Sequence, residues 1–210
     1  MEVSTNPGLA ERLKRSTATL HREAERSGVM SALLEQRIEG AAYRRLLLNL
    51  QAIYAALEAA LQLHRADPVV GFCTGFGLQR AESLAADLAH LFPAAPAGAL
   101  APAAQAYVDR LQHLALREPL RLVSHAYVRY LGDLHGGQVL GRLVRERFGL
   151  AGDEGTRFYA FGDAAQVQGR RAQFRQALAA LPVTPQQADT IVDEAVEAFA
   201  RHVQLFNELA

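Results

Sequence analysis

The stretch that decides the fold is YVRYLGDLHGGQVLGRLVRER, residues 127–147. It reads as one helix, yet Gly132, Gly136, Gly137 and Gly141 lie inside it. An interior glycine costs a helix about 1 kcal/mol relative to alanine, so four cost about 4 kcal/mol. The usual compensating uses are a kink or the close approach of another group to the backbone. Gly132 and Gly136 are four residues apart and bare one strip of backbone; Gly137 and Gly141 bare a second. Asp133 lies between them on an otherwise apolar helix. Two readings follow. Either a flat, rigid ligand presses on the bare backbone beside one carboxylate, or the small residues serve helix packing and Asp133 faces water. Spacing alone leaves both open, because a glycine spacing is a weak motif.

The chain has 210 residues, half of them hydrophobic, enough for one well-buried core or two small ones. Lys+Arg and Asp+Glu are 22 each, so no basic field is present to hold nucleic acid. The single cysteine, Cys73, excludes an internal disulfide framework and suits a reducing compartment. The N-terminus lacks the apolar core of a secretory signal. No uninterrupted run of about 18 apolar residues is present, which argues against a membrane span. The expectation is a soluble, cytoplasmic chain, monomeric by default.

Working outward from 127–147, the glycine-bearing helix is expected to run over 119–148, with Pro119 in its first turn. Upstream, helices are expected over 9–27 (Leu9, Leu13, Thr17, Leu20 and Ala24 at helical spacing, Gly28 as the stop), 31–36, 41–64, 78–91 and 103–116. Asp67-Pro68 closes the third, 68–77 is a loop or short extended piece, and 92–102 is a Pro/Ala/Gly linker. Downstream, 149–163 is a loop carrying Phe158, Tyr159 and Phe161, followed by a helix over 165–180. Thr184-Pro185-Gln186-Gln187 then opens a last helix with Val192, Val196, Phe199, Val203 and Phe206 on one face. No alternating strand pattern recurs, so the class is all-α. Residues 1–8 are expected to be a tail and 9–210 a single domain.

Among the seven histidines, His21 stands out because Glu25 follows one turn later. A carboxylate there can take the imidazole N–H and orient the ring, as partners of metal-bound histidines do; a plain surface pair has the same spacing. A di-iron bundle needs two Glu-x-x-His motifs, and only Asp87-x-x-His90 comes near. No Gly-x-Gly-x-x-Gly follows a strand, so the chain brings no flavin or nicotinamide site, and redox chemistry would take electrons from outside. Lys14 lies two turns before His21. Arg170, Arg171 and Arg175 cluster on one helix and could clamp carboxylates, or simply face solvent.

These residues also carry a resemblance. LKRSTATLHREAE (13–25), HAYVRYLGDLHGGQVL (125–140) and AFARHVQLFNEL (198–209) resemble the soluble, biliverdin-forming haem oxygenases over nearly the whole length. The resemblance implies a helical bundle with haem b, both cofactor and substrate, between a proximal helix and a glycine-rich, kinked distal helix. It implies His21 as the axial iron ligand, with Glu25 as its partner. Gly132 and Gly136 would lie against the haem face, and Asp133 would hold a distal water network with Arg129 and Tyr54. Lys14, Tyr127, Arg171 and Arg175 would bind the propionates, and Phe199 would contact the haem. The implied reaction opens the ring at a meso carbon with O2 and electrons from a ferredoxin or flavoprotein reductase, giving biliverdin, CO and Fe2+.

Two positions depart from the pattern. The motif usually carries a small residue at position 135, where this chain has His135. Its imidazole could donate to distal water or ligate resting iron, but it lies about 100° around the helix from Gly136, which points it away. His202 stands where relatives often have asparagine; if near Asp133, it would make the site more pH-sensitive. A non-catalytic haem carrier or sensor would share His21 but has no need of Asp133 with Gly132 and Gly136. A non-haem relative of the same architecture would lack the combined His21/Glu25 and YLGDL-x-GG pattern.

Overall fold

The computed structural model describes residues 8–94 and 98–210, and the described residues are helical with no strand. The helices are α1 (Leu9–Glu25), α2 (Gly28–Leu34), α3 (Gly40–Leu63), α4 (Ala81–Leu91), α5 (Pro102–Arg117), α6 (Leu122–Ala126), α7 (Gly132–Phe148), α8 (Ala164–Ala179) and α9 (Pro185–Glu208). The all-α expectation holds. Most of the proposed tail and the middle of the 92–102 linker fall outside the described residues.

Helical periodicity translates directly into packing. On α3, Tyr43, Leu46, Leu47, Leu50, Ile53, Tyr54, Leu57 and Leu61 are all buried, so one stripe faces α5 and α4 along its length. By length and composition alone α3 could cross a membrane, but half of its most apolar stretch is buried inside this bundle. The apolar face of α9 packs on α1, α2, α5 and α6. Buried residues of all nine helices join one core.

Side chains set several boundaries. Thr184 Oγ1 accepts from Gln187 N (3.2 Å), and Gln187 Oε1 accepts from Thr184 N (2.8 Å), the capping box expected for α9. Glu58 accepts from the backbone N–H groups of Arg80 and Ala81 (2.5 and 3.1 Å), so α4 begins at Ala81 rather than 78. Asp67 accepts from Val69 N and Val70 N (2.8 Å each) and leads into a 3₁₀ turn, Gly71–Thr74, where a loop or extended piece was expected. Gly28 does not merely stop α1. It begins α2 at φ +36°, where a Cβ would lie 1.9 Å from the Phe206 carbonyl oxygen. That close approach of α9 admits only glycine.

The largest correction concerns 119–148. It is not one helix but a 3₁₀ turn (Pro119–Arg121), α6, a π-helical turn (Tyr127–Leu131) and α7. The wider turn accommodates an extra residue, and such turns recur at functional sites. The helix is thus interrupted just before Gly132, while the glycines themselves stay inside α7.

Behind this turn, buried Glu194 of α9 joins three elements. It accepts from Arg110 of α5 (2.5 and 3.1 Å), from Arg121 (3.2 Å) and from Nε2 of His125 on α6 (3.0 Å). The other nitrogen of His125 meets the Tyr107 hydroxyl (2.9 Å), and burial lowers the His125 pKa against the pull of Glu194, which favours the neutral ring. Burial alone would raise the Glu194 carboxyl, but His125 and Arg110 hold it down to about 2. A carboxyl lowered from 4.5 stabilises the fold above that pH, and the contribution disappears as pH falls toward about 2. Urea midpoints for the wild type should therefore fall steeply over that interval. Glu194→Gln should show a shallower dependence and be less stable by about 3 kcal/mol at pH 7.

Candidate functional site

α1 and α7 face each other across a cleft backed by α9. It consists of two adjoining cavities of about 280 and 260 Å3 that share His21, Val128, Gly132, His135 and Phe199. Together they reach the size of small-molecule sites, roughly 300–1,000 Å3.

The two glycine strips have different uses. A Cβ on Gly132 would meet nothing within 4 Å, and one on Gly136 only Leu140 Cδ1 at 3.8 Å. This strip presents bare backbone to the cleft. A Cβ on Gly137 would touch Phe161 at 3.6 Å, and one on Gly141 would lie 2.9 Å from Tyr159 Cβ. That strip seats the aromatic loop. The packing reading therefore holds for Gly137 and Gly141, though Asp133 is largely enclosed rather than in water, and Gly132 and Gly136 leave backbone open to the cleft.

The opposite wall comes from α1. Lys14, Thr17, Ala18, His21 and Arg22 line the first cavity, and His21, Ala24 and Glu25 the second. His21 Nδ1 lies 3.6 Å from Glu25 Oε1, and its ring meets Phe199 edge-on at 5.7 Å. Among the described residues no hydrogen bond occupies His21 Nε2. Tyr127 and Arg175 line the first cavity. Thr17, three residues from Lys14 and four from His21, was not read as a site residue from the sequence, although that spacing placed it on their face; Arg22, next to His21, was not placed there by spacing.

Asp133 lines the second cavity with Arg129 and His202. Its carboxylate accepts from the buried Tyr54 hydroxyl and lies 3.5 Å from Arg129 Nη2. Arg129 Nε and Nη2 both donate to the Tyr54 oxygen (2.9 and 2.8 Å). Burial pushes the Asp133 carboxyl above the ordinary carboxylate range, while Arg129 and Tyr54 oppose the rise. Burial also pushes the Tyr54 hydroxyl up, and Arg129 counteracts it.

Two expected residues do not line the cleft, though Tyr54 joins Asp133 and Arg129 as expected. Tyr54 lines neither cavity and stands behind Asp133. Arg171 also lines neither; it lies one turn before Arg175, and its buried Nε has no hydrogen-bond partner. His135 does not point away. It is three residues from Gly132, hence on nearly the same face, and lines both cavities. Its Nδ1 donates to the Leu131 carbonyl (2.6 Å), and burial together with Arg171 and Arg175 lowers its pKa. His202 reaches Arg129 rather than Asp133 itself. Burial and Arg129 push its pKa well below the ordinary value, so it stays neutral and adds no pH sensitivity near neutrality. Asp87 takes part in loop structure, accepting from Arg157 N (2.9 Å) and Phe158 N (2.8 Å).

A family model for heme oxygenase matches residues 7–208. The chain belongs to the haem oxygenase family. It is 35% identical over 203 residues to "Heme oxygenase 1" of Nostoc sp., covering 96% of this chain and 85% of that protein. It is 37% identical to "Heme oxygenase 2" of Synechocystis sp. over 207 residues, 96% of this chain and 82% of that one. The haem oxygenase structure from Leptospira interrogans superimposes with a TM-score of 0.90 at 29% identity, covering 96% of this chain and all of that one. Haem oxygenase-1 from Synechocystis sp., solved in complex with haem, gives 0.88 at 35% identity over 97% of this chain and 92% of that one.

The glycine strips make separable predictions. Gly132→Ala should raise stability by about 0.5–1 kcal/mol, because its Cβ enters open space, while narrowing the cleft and weakening haem binding. Gly141→Ala should lower stability by about 1–3 kcal/mol, because Tyr159 must shift. Chemical denaturation and hemin titration of the two variants check both signs.

Proposed function

We propose that this haem oxygenase binds haem b in the cleft between α1 and α7 and opens it at a meso carbon, yielding biliverdin, CO and Fe2+. The observation that carries the assignment is the bare Gly132/Gly136 strip, which lines the same cleft as the half-exposed His21. That strip is a cradle a Cβ would fill, and it fits a flat group lying against backbone. The only cysteine, Cys73, lines a separate cavity, so the haem is held without a thioether link. Bound haem supplies the redox-active iron and is itself the ring that is broken.

The chain's own residues divide the remaining work. His21 would hold the iron, with Glu25 placed to orient its ring from the Nδ1 side. Lys14, Tyr127 and Arg175 line the part of the cleft suited to propionates, with Arg171 one turn behind. Phe199 stacks edge-on against His21 and closes the apolar side. Gly132 and Gly136 keep side chains off the haem face. Asp133 holds water in the cleft and passes protons to it. A buried carboxyl with raised proton affinity, oriented by the Tyr54 hydroxyl and balanced by Arg129, is suited to that task. The chain has no glycine-rich dinucleotide motif, so the electrons are assigned to an external ferredoxin or flavoprotein reductase. The same reading takes 9–210 as one domain and the protein as a cytoplasmic monomer.

Hemin titration followed by reductant in air tests this directly. The wild type should give a one-to-one Soret complex that bleaches as biliverdin absorbance grows. His21→Ala should lose the axial histidine. Asp133→Asn should bind haem yet open the ring about 10²–10⁴-fold more slowly. A normal biliverdin yield from Asp133→Asn would remove Asp133 from the mechanism.

A further inference from the structure

His202 is fully enclosed and has no counterpart in the roles assigned above. Its hydrogen bonds fix its state. Nδ1 lies 2.7 Å from the Ala198 carbonyl, which can only accept, so Nδ1 carries the proton. Nε2 lies 2.7 Å from Arg129 Nη1, which can only donate, so Nε2 offers a lone pair. The ring is held edge-on by Tyr107 (5.1 Å) and packed by Phe206 (5.8 Å). Arg129 from the π-helical turn, Tyr107 of α5 and His125 of α6 are the titratable and charged groups around it. The positive charge of Arg129 at this range opposes a second proton on the imidazole.

The consequence propagates along the chain of donors. With Nη1 committed to His202, Arg129 turns Nε and Nη2 onto the Tyr54 oxygen, filling both of its acceptor positions. The Tyr54 O–H then has one acceptor left, Asp133. The donors thus diverge from Arg129, toward His202 and Ala198 on one side and toward Tyr54 and Asp133 on the other. We propose that His202 is a positioning residue for ring opening: its Nε2 anchors Arg129, so that the Tyr54 hydroxyl is aimed at Asp133 and nowhere else. The catalytic part rests on the functional reading above; the anchoring does not.

The test uses the full chain and two readouts. In the haem-free protein, the 13C signal of the Asp133 carboxyl is followed against pH. In the hemin-loaded protein, the rate of ring opening is measured. His202→Phe keeps an aromatic ring but removes the acceptor; His202→Gln restores an acceptor without the ring. His202→Phe should raise the pH at which Asp133 titrates and slow ring opening by about tenfold or more. His202→Gln should return both toward wild type. If His202→Phe fails to fold, His202→Leu serves as the acceptor-free variant. An Asp133 titration unchanged in the acceptor-free variant overturns the proposal. A wild type that shifts as expected on loss of the acceptor, yet never opens haem, overturns the functional reading while leaving the anchoring intact.

Discussion

The constraint on which the site depends is the seat of Tyr159 on Gly141. Tyr159 Cβ comes so close to α7 that any side chain at position 141 would displace it. The seat is braced from outside the cleft. Asp87 holds two backbone N–H groups of the same loop, and the Arg80 guanidinium stacks over Phe161 at 4.2 Å. Once Gly137 and Gly141 face this loop, the strip at Gly132 and Gly136 is rotated toward α1. The cleft is therefore a consequence of packing on the adjacent face of the same helix, with Tyr159 also lining its wall. An energetic cost of about 1 kcal/mol per glycine is offset on one strip by contact and on the other only by what the cleft does.

Two buried polar clusters meet behind that cleft. One runs through Glu194, His125 and Tyr107 and ties α5, α6 and α9 together. The other runs through His202, Arg129 and Tyr54 to Asp133. They approach each other where Tyr107 contacts both His125 and His202. An unsatisfied buried polar group costs about 1–3 kcal/mol, so half-made networks in this position would be hard to tolerate. Here the partners match donor to acceptor along both chains, and the Arg129 guanidinium also lies over the Tyr54 ring at 4.8 Å. The π-helical turn matters to this arrangement, since it carries Arg129 and immediately precedes Gly132 and Asp133.

Much of this was legible in the sequence, for identifiable reasons. Helices α3 and α9 declare themselves through apolar periodicity, and α9 through the Thr184–Gln187 box, because burial and capping act on residues close in sequence. The glycine strips were legible as strips, but which one faced the cleft was not, since that depends on Tyr159 and Phe161 arriving from a loop. The π-helical turn was not legible. It is a change of hydrogen-bond register within residues that otherwise read as ordinary helix. Glu58 and Asp67 set element boundaries through side-chain bonds that no local pattern encodes. His135 was misplaced by measuring its angle from Gly136 alone; measured from Gly132 it falls on the cleft face. The contact between His202 and Arg129 joins residues 73 apart in sequence, beyond the reach of any spacing argument.

The buried cluster also bears on why this cleft belongs to an enzyme rather than a carrier. Holding a flat apolar ring with an imidazole requires His21, a bare strip of backbone and cations at the rim. It does not require a carboxylate in the cleft wall. Removing a carboxylate and a guanidinium from water costs several kcal/mol per ion before their attraction and hydrogen bonds are counted, and apolar replacements of similar size are often no less stable. A protein selected only to bind would have no use for Asp133 in that position, nor for Tyr54 and Arg129 arranged to orient it. A reaction that consumes protons at the cleft wall does. The arrangement makes chemical sense as an orienting network, with His202 fixing Arg129 at one end and Asp133 lining the cleft at the other.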